Sequence, residues 1–256
     1  MSTTTLSDTL LKAAVENFLT TRGYQRLDIR AALFDMDGTL YDSMPRHAAA
    51  WKQMCDENGI LADIEEFFAF EGRTGADTIN IMFNRQYGHP ATDRQIKELY
   101  QRKTAIFRSL QPAPKMPGAE SLTRQCADNG LNCIVVTGSG QRSLIDNIIS
   151  DFPGIFHDDR IITSHDVSHG KPHPEPYLKG LKLAGVAPNQ AIVIENAPLG
   201  VAAGADAGIF TIAVTTGPIP ATDMANAGAS IIFNSMQECA DSFARLLYYM
   251  TSISIN

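Results

Sequence analysis

Apolar positions along this chain follow two different patterns. Short unbroken hydrophobic runs recur at 31–34, 131–137, 160–163, 191–195 and 210–214, with a last one at 230–233. Runs of this length, without polar alternation, predict strands buried on both faces, as in a parallel sheet. Between them lie stretches with a period near 3.6, at 118–129, 141–150, 175–184, 198–207 and 235–248, which predict helices. Strand alternating with helix predicts right-handed βαβ units and a doubly wound α/β core.

Two stretches stand outside that alternation. Residues 1–29 place Leu6, Leu10, Leu11, Ala14 and Phe18 at helical spacing before Gly23. They predict an amphipathic helical extension packed outside the sheet, with no chemistry of its own. Residues 42–116 contain no strand signal. Ser43 is a candidate N-cap, Pro45 suits a first turn, and Gly59 suits a helix end. Further helices are expected at 61–70, 75–88 and 92–109, followed by a proline-rich close at 111–118.

Composition narrows the function classes. Hydrophobic residues make up 44% of the 256 and charged residues 19%, with a net charge of −7. An acidic chain without a Lys/Arg cluster lacks the footprint for nucleic acid or anionic membrane. Cys55, Cys126, Cys133 and Cys239 show no CxxC spacing and read as buried free thiols of a reducing compartment. No apolar run reaches the ~18–20 residues of a membrane span, and the N-terminus has no signal-peptide pattern. The expectation is a cytoplasmic enzyme, taken as a monomer.

The candidate chemistry lies where strands end. The first run stops at Asp35-Met36-Asp37-Gly38-Thr39, two carboxylates at i and i+2 followed by glycine and a hydroxyl. Ligands of open α/β sheets bind at such carboxyl ends. The second strand exits through Thr137-Gly138-Ser139-Gly140, a hydroxyl and flexible backbone able to hold phosphoryl oxygens. Lys171 is the single cation of the loop His169-Gly170-Lys171-Pro172-His173-Pro174. The two histidines there read as structural or solvent-facing, since no zinc-type spacing accompanies them. A further strand ends at Glu195-Asn196, and Asp206 reads as an exposed helix residue.

These four segments, in this order, resemble motifs I to IV of the haloacid dehalogenase (HAD) superfamily of phosphotransferases. The likeness spans nearly all of 30–250. It implies a Rossmann-like core, 30–41 plus 117–256, with residues 42–116 as a helical C1-type cap. By the resemblance, Asp35 is the nucleophile of an aspartyl-phosphate. Asp37 is the acid and base, tuned so that both protonation states are reachable near neutral pH. Thr137 and Lys171 complete the phosphoryl cradle. Mg²⁺ is implied as cofactor, held by Asp35, the Asp37 backbone carbonyl and Asn196, with Glu195 holding coordinated waters. Many capped members have Glu-Asp at motif IV. Here Asn196 supplies a carbonyl oxygen without charge.

Within the superfamily the chain resembles the β-phosphoglucomutases, including His47 and Trp51 on the first cap helix. The mutase cap loop carries Lys-Gly and then Arg; here the pair is Glu71-Gly72, Gly75 takes the Arg position, and Arg73 comes two residues early. A carboxylate in place of that lysine disfavours a second phosphate unless a metal intervenes. The strings FEGRTGADTINIMFNRQYG and VIENAPLG are more similar to the HAD-type inorganic pyrophosphatases. In that branch the cap Glu reaches the metal, so Glu71 is expected to supply the charge that Asn196 lacks, with Met44 and Tyr100 shaping the pocket. The expected substrate is a small phosphorylated compound, pyrophosphate ahead of a β-glucose 1-phosphate mutase reaction or general sugar phosphatase activity. No lysine lies between Lys52 and Lys97, which discounts Schiff-base phosphonate cleavage. Retention of Asp35, Asp37, Thr137 and Lys171 argues against a non-catalytic binding protein.

Overall fold

The computed structural model describes residues 6–140 and 142–255. Residues 1–5 of the N-terminal extension, Gln141 at the head of a predicted helix, and Asn256 lie outside the described residues. Six parallel strands form one sheet: β1 (Ala31–Phe34), β2 (Asn132–Val136), β3 (Ile161–Ile162), β4 (Ala191–Glu195), β5 (Phe210–Val214) and β6 (Ile231–Phe233). Their order across the sheet is β3-β2-β1-β4-β5-β6. The chain thus starts in the middle and winds outward both ways, as the alternating pattern predicts. The strand order reverses between β1 and its neighbours, which opens a crevice at their carboxyl ends.

The strands are apolar throughout because both faces are covered, yet they still alternate. Ala32 and Phe34 of β1 join the larger core cluster, with Cys133, Val135, Ile192 and Ile194. Ala31 and Leu33 point the other way, among Ile134, Val136, Tyr177 and Val193. The first face is covered by α1 (Asp8–Arg22), α6 (Ala119–Asp128), α7 (Arg142–Asp151) and α11 (Met236–Ser252), and the second by α8 (Glu175–Ala184) and α9 (Pro198–Asp206). The extension helix α1 is therefore part of the core wall. It buries Leu11, Val15, Phe18 and Leu19, and Phe18 meets Phe210 edge-on at 5.1 Å between centroids.

Between β1 and β2 stand α2 (Met44–Glu57), α3 (Glu66–Ala69), α4 (Gly75–Tyr87) and α5 (Asp93–Ser109). They close their own apolar cluster around Trp51, Met54, Phe67, Met82 and Phe107. The helix expected over 61–70 shrinks to Glu66–Ala69. Side chains of α4 take the main-chain groups that a helix would need: Gln86 Oε1 accepts the Leu61 N–H at 2.7 Å, and Arg85 donates to the Leu61 carbonyl. One short helix goes unread in the sequence, α10 (Ala221–Asn226), and α11 runs to Ser252 rather than 248. All four cysteines are buried, free thiols. Among the described residues no helix is long and apolar enough to cross a membrane.

Candidate active site

Asp35 leaves β1 directly. Its N–H donates to the Ile194 carbonyl at 3.0 Å, which fixes the residue between the two central strands. The Lys171 ammonium, buried under the crevice, donates to Asp35 Oδ1 at 2.6 Å, Glu195 Oε1 at 2.5 Å and the Val136 carbonyl at 3.1 Å. Burial opposes its charge, but Asp35 and Glu195 outweigh burial and raise its pKa above the ordinary lysine value. The motif lysine and the two strand-end carboxylates are thus one buried ionic unit.

Glu195 differs from expectation. Its oxygens do not face solvent to hold waters. Tyr177 and Lys171 donate to Oε1, while the Asn196 and Ala197 N–H groups donate to Oε2 at 3.0 and 3.2 Å. Protein donors meet both oxygens, and the Lys171 ammonium is one of them.

Gly38 is required by a close approach: its φ is +82°, and a Cβ there would sit 2.0 Å from Asn196 Nδ2. The tight turn lets Thr39 Oγ1 donate to Asn196 Oδ1 at 3.1 Å, which orients the amide. Asn196 Nδ2 then donates to Glu71 Oε1 at 2.8 Å. Glu71 therefore reaches from the inserted helices into the strand-end cluster and is 8% exposed. Burial first, then Asp35, pushes its pKa well above the usual carboxylate range. Asp35 is raised too, by burial and by Glu195 and Asp37 against the pull of Lys171.

These observations fit a hard divalent cation. Asp35 Oδ2 is buried with no hydrogen-bond partner. The Asp35 carboxylate raises the pKa of Glu71 there, and their mutual repulsion is the field that such an ion relieves.

Asp37 lies on the other side. Ser43 Oγ donates to Asp37 Oδ1 at 2.6 Å, and His47 Nε2 lies 2.9 Å from the same oxygen. Ser43 occupies the N-cap position of α2 but makes no capping bond, because its hydroxyl serves Asp37. His47 Nδ1 is 2.6 Å from Lys103 Nζ. Burial works against ionisation of Asp37, but His47, Ser43 and Lys103 together bring it below the usual carboxylate value. Three donors or cations thus face this carboxylate. Burial lowers Lys103 to about 8, with Asp37 opposing, and burial with Lys103 lowers His47.

Lys103 is the functional candidate that sequence reasoning missed. Its signal was present. It sits on the apolar stripe of α5 with Leu99, Ile106 and Phe107, a charged residue where the helix faces its core. Its ammonium lies over the Trp51 and Phe107 rings at 5.2 and 5.1 Å.

The remaining predicted residues gather around a cavity of about 70 Å³ roofed by the inserted helices, with Met44, His47, Gly72, Arg73, Tyr100, Thr137, Gly138 and Ser139 in its wall. Thr137 Oγ1 accepts the Ser139 N–H at 3.0 Å, leaving the hydroxyl hydrogen for a ligand. A Cβ on Gly138 would stand 2.9 Å from the Gly72 carbonyl, so glycine lets the strand exit touch the roof loop. Arg73 Nε is buried without a partner. Asp206, His169 and His173 are exposed, as expected.

Residues 29–208 match the haloacid dehalogenase-like hydrolase family. The chain belongs to that family. Among HAD relatives it is 33% identical over 187 residues to validoxylamine A 7′-phosphate phosphatase of Streptomyces hygroscopicus subsp. limoneus, covering 73% of this chain and 86% of that one. Hexitol phosphatase A of Escherichia coli is 31% identical, over 71% of this chain and 81% of the relative. A solved structure from Bacteroides vulgatus, named provisionally as a β-phosphoglucomutase, superposes with a TM-score of 0.92 at 47% identity. It covers 95% of this chain and 99% of that one.

Proposed function

We propose that this chain is a Mg²⁺-dependent phosphatase of small phosphorylated compounds, working through a phosphoryl group carried on Asp35. The observation that carries this reading is the buried Asp35–Lys171 pair, 2.6 Å apart, beside an unpartnered carboxylate oxygen at the mouth of β1. We read α2–α5 as a cap over that site.

In this mechanism the incoming phosphoryl charge raises the Asp37 pKa so that it takes up a proton; a carboxylate oxygen of Asp35 then attacks phosphorus while the bond to the leaving oxygen breaks, and Asp37 gives that oxygen its proton. Water then attacks the acyl phosphate. Asp37 takes the water's proton, and orthophosphate leaves with the Asp35 carboxylate restored. Lys171 holds Asp35 in line and offsets phosphoryl charge, and the Thr137 hydroxyl with the backbone beyond it orients the phosphoryl oxygens. Asp35, the Asp37 main-chain carbonyl, Asn196 and Glu71 would hold the ion. Bound Mg²⁺ would neutralise this cluster and polarise the phosphoryl group. His47, Ser43 and Lys103 set the protonation of Asp37. Four buried free thiols agree with a reducing, cytoplasmic setting.

For the substrate, the relatives support a sugar or polyol monophosphate. Validoxylamine A 7′-phosphate phosphatase and hexitol phosphatase A are named for such compounds. A second reading, inorganic pyrophosphate, is favoured by one contact: Glu71 on Asn196. That contact puts a carboxylate, not a phosphate-binding lysine, over the site.

Phosphate release with Mg²⁺ from hexitol phosphates, β-glucose 1-phosphate and pyrophosphate tests both readings. Preference for a sugar or polyol phosphate supports the first, and preference for pyrophosphate supports the second. Interconversion of glucose phosphates without phosphate release would overturn hydrolysis itself in favour of a mutase.

A further inference from the structure

The loop that delivers Lys171 to the crevice carries a second cluster on its outer side. His169, His173 and Glu175 each bring a donor atom to within 4.8 Å of the others, and the chemistry above uses none of them. His169 Nδ1 lies 3.0 Å from Glu175 Oε2. The two imidazole rings are 4.7 Å apart between centroids and inclined by 32°. Two ligands at ~2.0–2.1 Å from a tetrahedral ion stand about 3.3 Å apart, so a few tenths of an ångström separate the His169–Glu175 contact from a coordinating pair.

Glu175 is already organised for this. Oε1 accepts the Ser168 N–H and Oε2 the His169 N–H, each at 2.9 Å, and Lys179 lies 2.9 Å from Oε1. The Ser168 N–H, then Lys179, then His169, lower its pKa to about 2 against partial burial, so it stays a carboxylate at any working pH. His173 Nδ1 accepts the Glu175 N–H at 3.1 Å, which holds the ring beside the carboxylate. The His169 side chain is 67% exposed, so one side of the cluster is open to solvent.

We propose that His169, His173 and Glu175 form a binding site for an imidazole-preferring divalent ion of the zinc class, separate from the oxygen-lined site at Asp35. Two nitrogen donors and one carboxylate match Zn²⁺ and its neighbours and match Mg²⁺ poorly. The site lies at the start of α8, where the helix dipole disfavours an unligated cation. That penalty is the same for Zn²⁺ and Mg²⁺, so the selectivity rests on the two nitrogen donors. Coordination releases the proton between His169 Nδ1 and Glu175 Oε2 to solvent, His173 supplies the third ligand through Nε2 because its Nδ1 accepts the Glu175 N–H, and the remaining position opens to solvent. Because the ligands bracket Lys171 in sequence, an ion held here pins the loop that presents it.

Calorimetric titration of Zn²⁺ in excess Mg²⁺ tests the site independently of catalysis. Wild type and Asp35→Asn are expected to take up one Zn²⁺ per chain with matching affinity. H169A/H173A should bind about tenfold more weakly or worse, and E175Q, which keeps both imidazoles, should also weaken. Circular dichroism checks that each variant folds. Unchanged binding in H169A/H173A, binding lost with Asp35→Asn, or no uptake by wild type would each overturn the proposal. Visible absorption from tetrahedral Co²⁺ gives a second readout, expected in wild type and absent in H169A/H173A.

Discussion

Glu71 is the residue on which the two proposed substrate readings part. It comes from the inserted helices, yet its carboxylate meets Asn196 at the end of β4. If it supplies the charge that the amide at 196 does not, Glu71→Ala should lower turnover of the preferred substrate by ten- to a hundredfold, ~1.4–2.8 kcal/mol. The required Mg²⁺ concentration should rise in parallel. Unchanged rates and unchanged metal dependence would leave Glu71 as part of the roof only. Asp35, Asp37, Thr137 and Lys171 were legible in the sequence because each lies at or beside a strand exit, where the order of elements brings them together. Lys103 was not read, since it lies 66 residues after Asp37 in a block that looks like plain amphipathic packing. Its depressed pKa of about 8 gives a signed expectation. Below that pH the ammonium faces His47 and Asp37, and above it the charge is lost. Activity should therefore fall as pH rises through about 8, and Lys103→Met should remove that limb. An identical alkaline limb in the variant would exclude Lys103 as its source.

At the scale of elements, α9 positions the acid that holds Lys171. A Cβ on Gly200 would fall 1.7 Å from Glu195 Oε1, with helix and strand both fixed by the core. Gly200→Ala should displace Glu195 from Tyr177 and Lys171, lowering the thermal midpoint and the turnover together. A variant with wild-type stability and rate would show that Glu195 relocates freely. The strands were the easiest elements to read, because a sheet covered on both faces needs continuous apolar runs. The span 61–70 was harder. Its aromatic residues suit a helix, but Gln86 and Arg85 from a different helix claim the main chain at Leu61, and no local pattern reveals that. The six residues of α10 are too few for a periodic signal to show.

At the scale of the whole molecule, an acidic chain buries Asp35, Glu71 and Glu195 together at one crevice. The raised pKa values of Asp35 and Glu71 have a consequence for stability. Without metal, the unfolded chain releases these protons at lower pH than the folded one, so stability falls as pH rises from the ordinary carboxylate range toward the raised values. A divalent ion binds the ionised forms and reverses that loss. The Mg²⁺-induced gain in thermal midpoint should therefore be larger at pH 8 than at about pH 5. A gain independent of pH would mean that the ion binds away from these carboxylates.

Asp35→Asn tests most directly whether Asp35 carries the phosphoryl group, since the amide keeps the shape of the side chain and removes its nucleophilic charge. Phosphate release should drop by at least about a thousandfold, ~4 kcal/mol, on every substrate that the wild type hydrolyses, with the fold retained. Turnover of any of them at the wild-type rate would contradict the account.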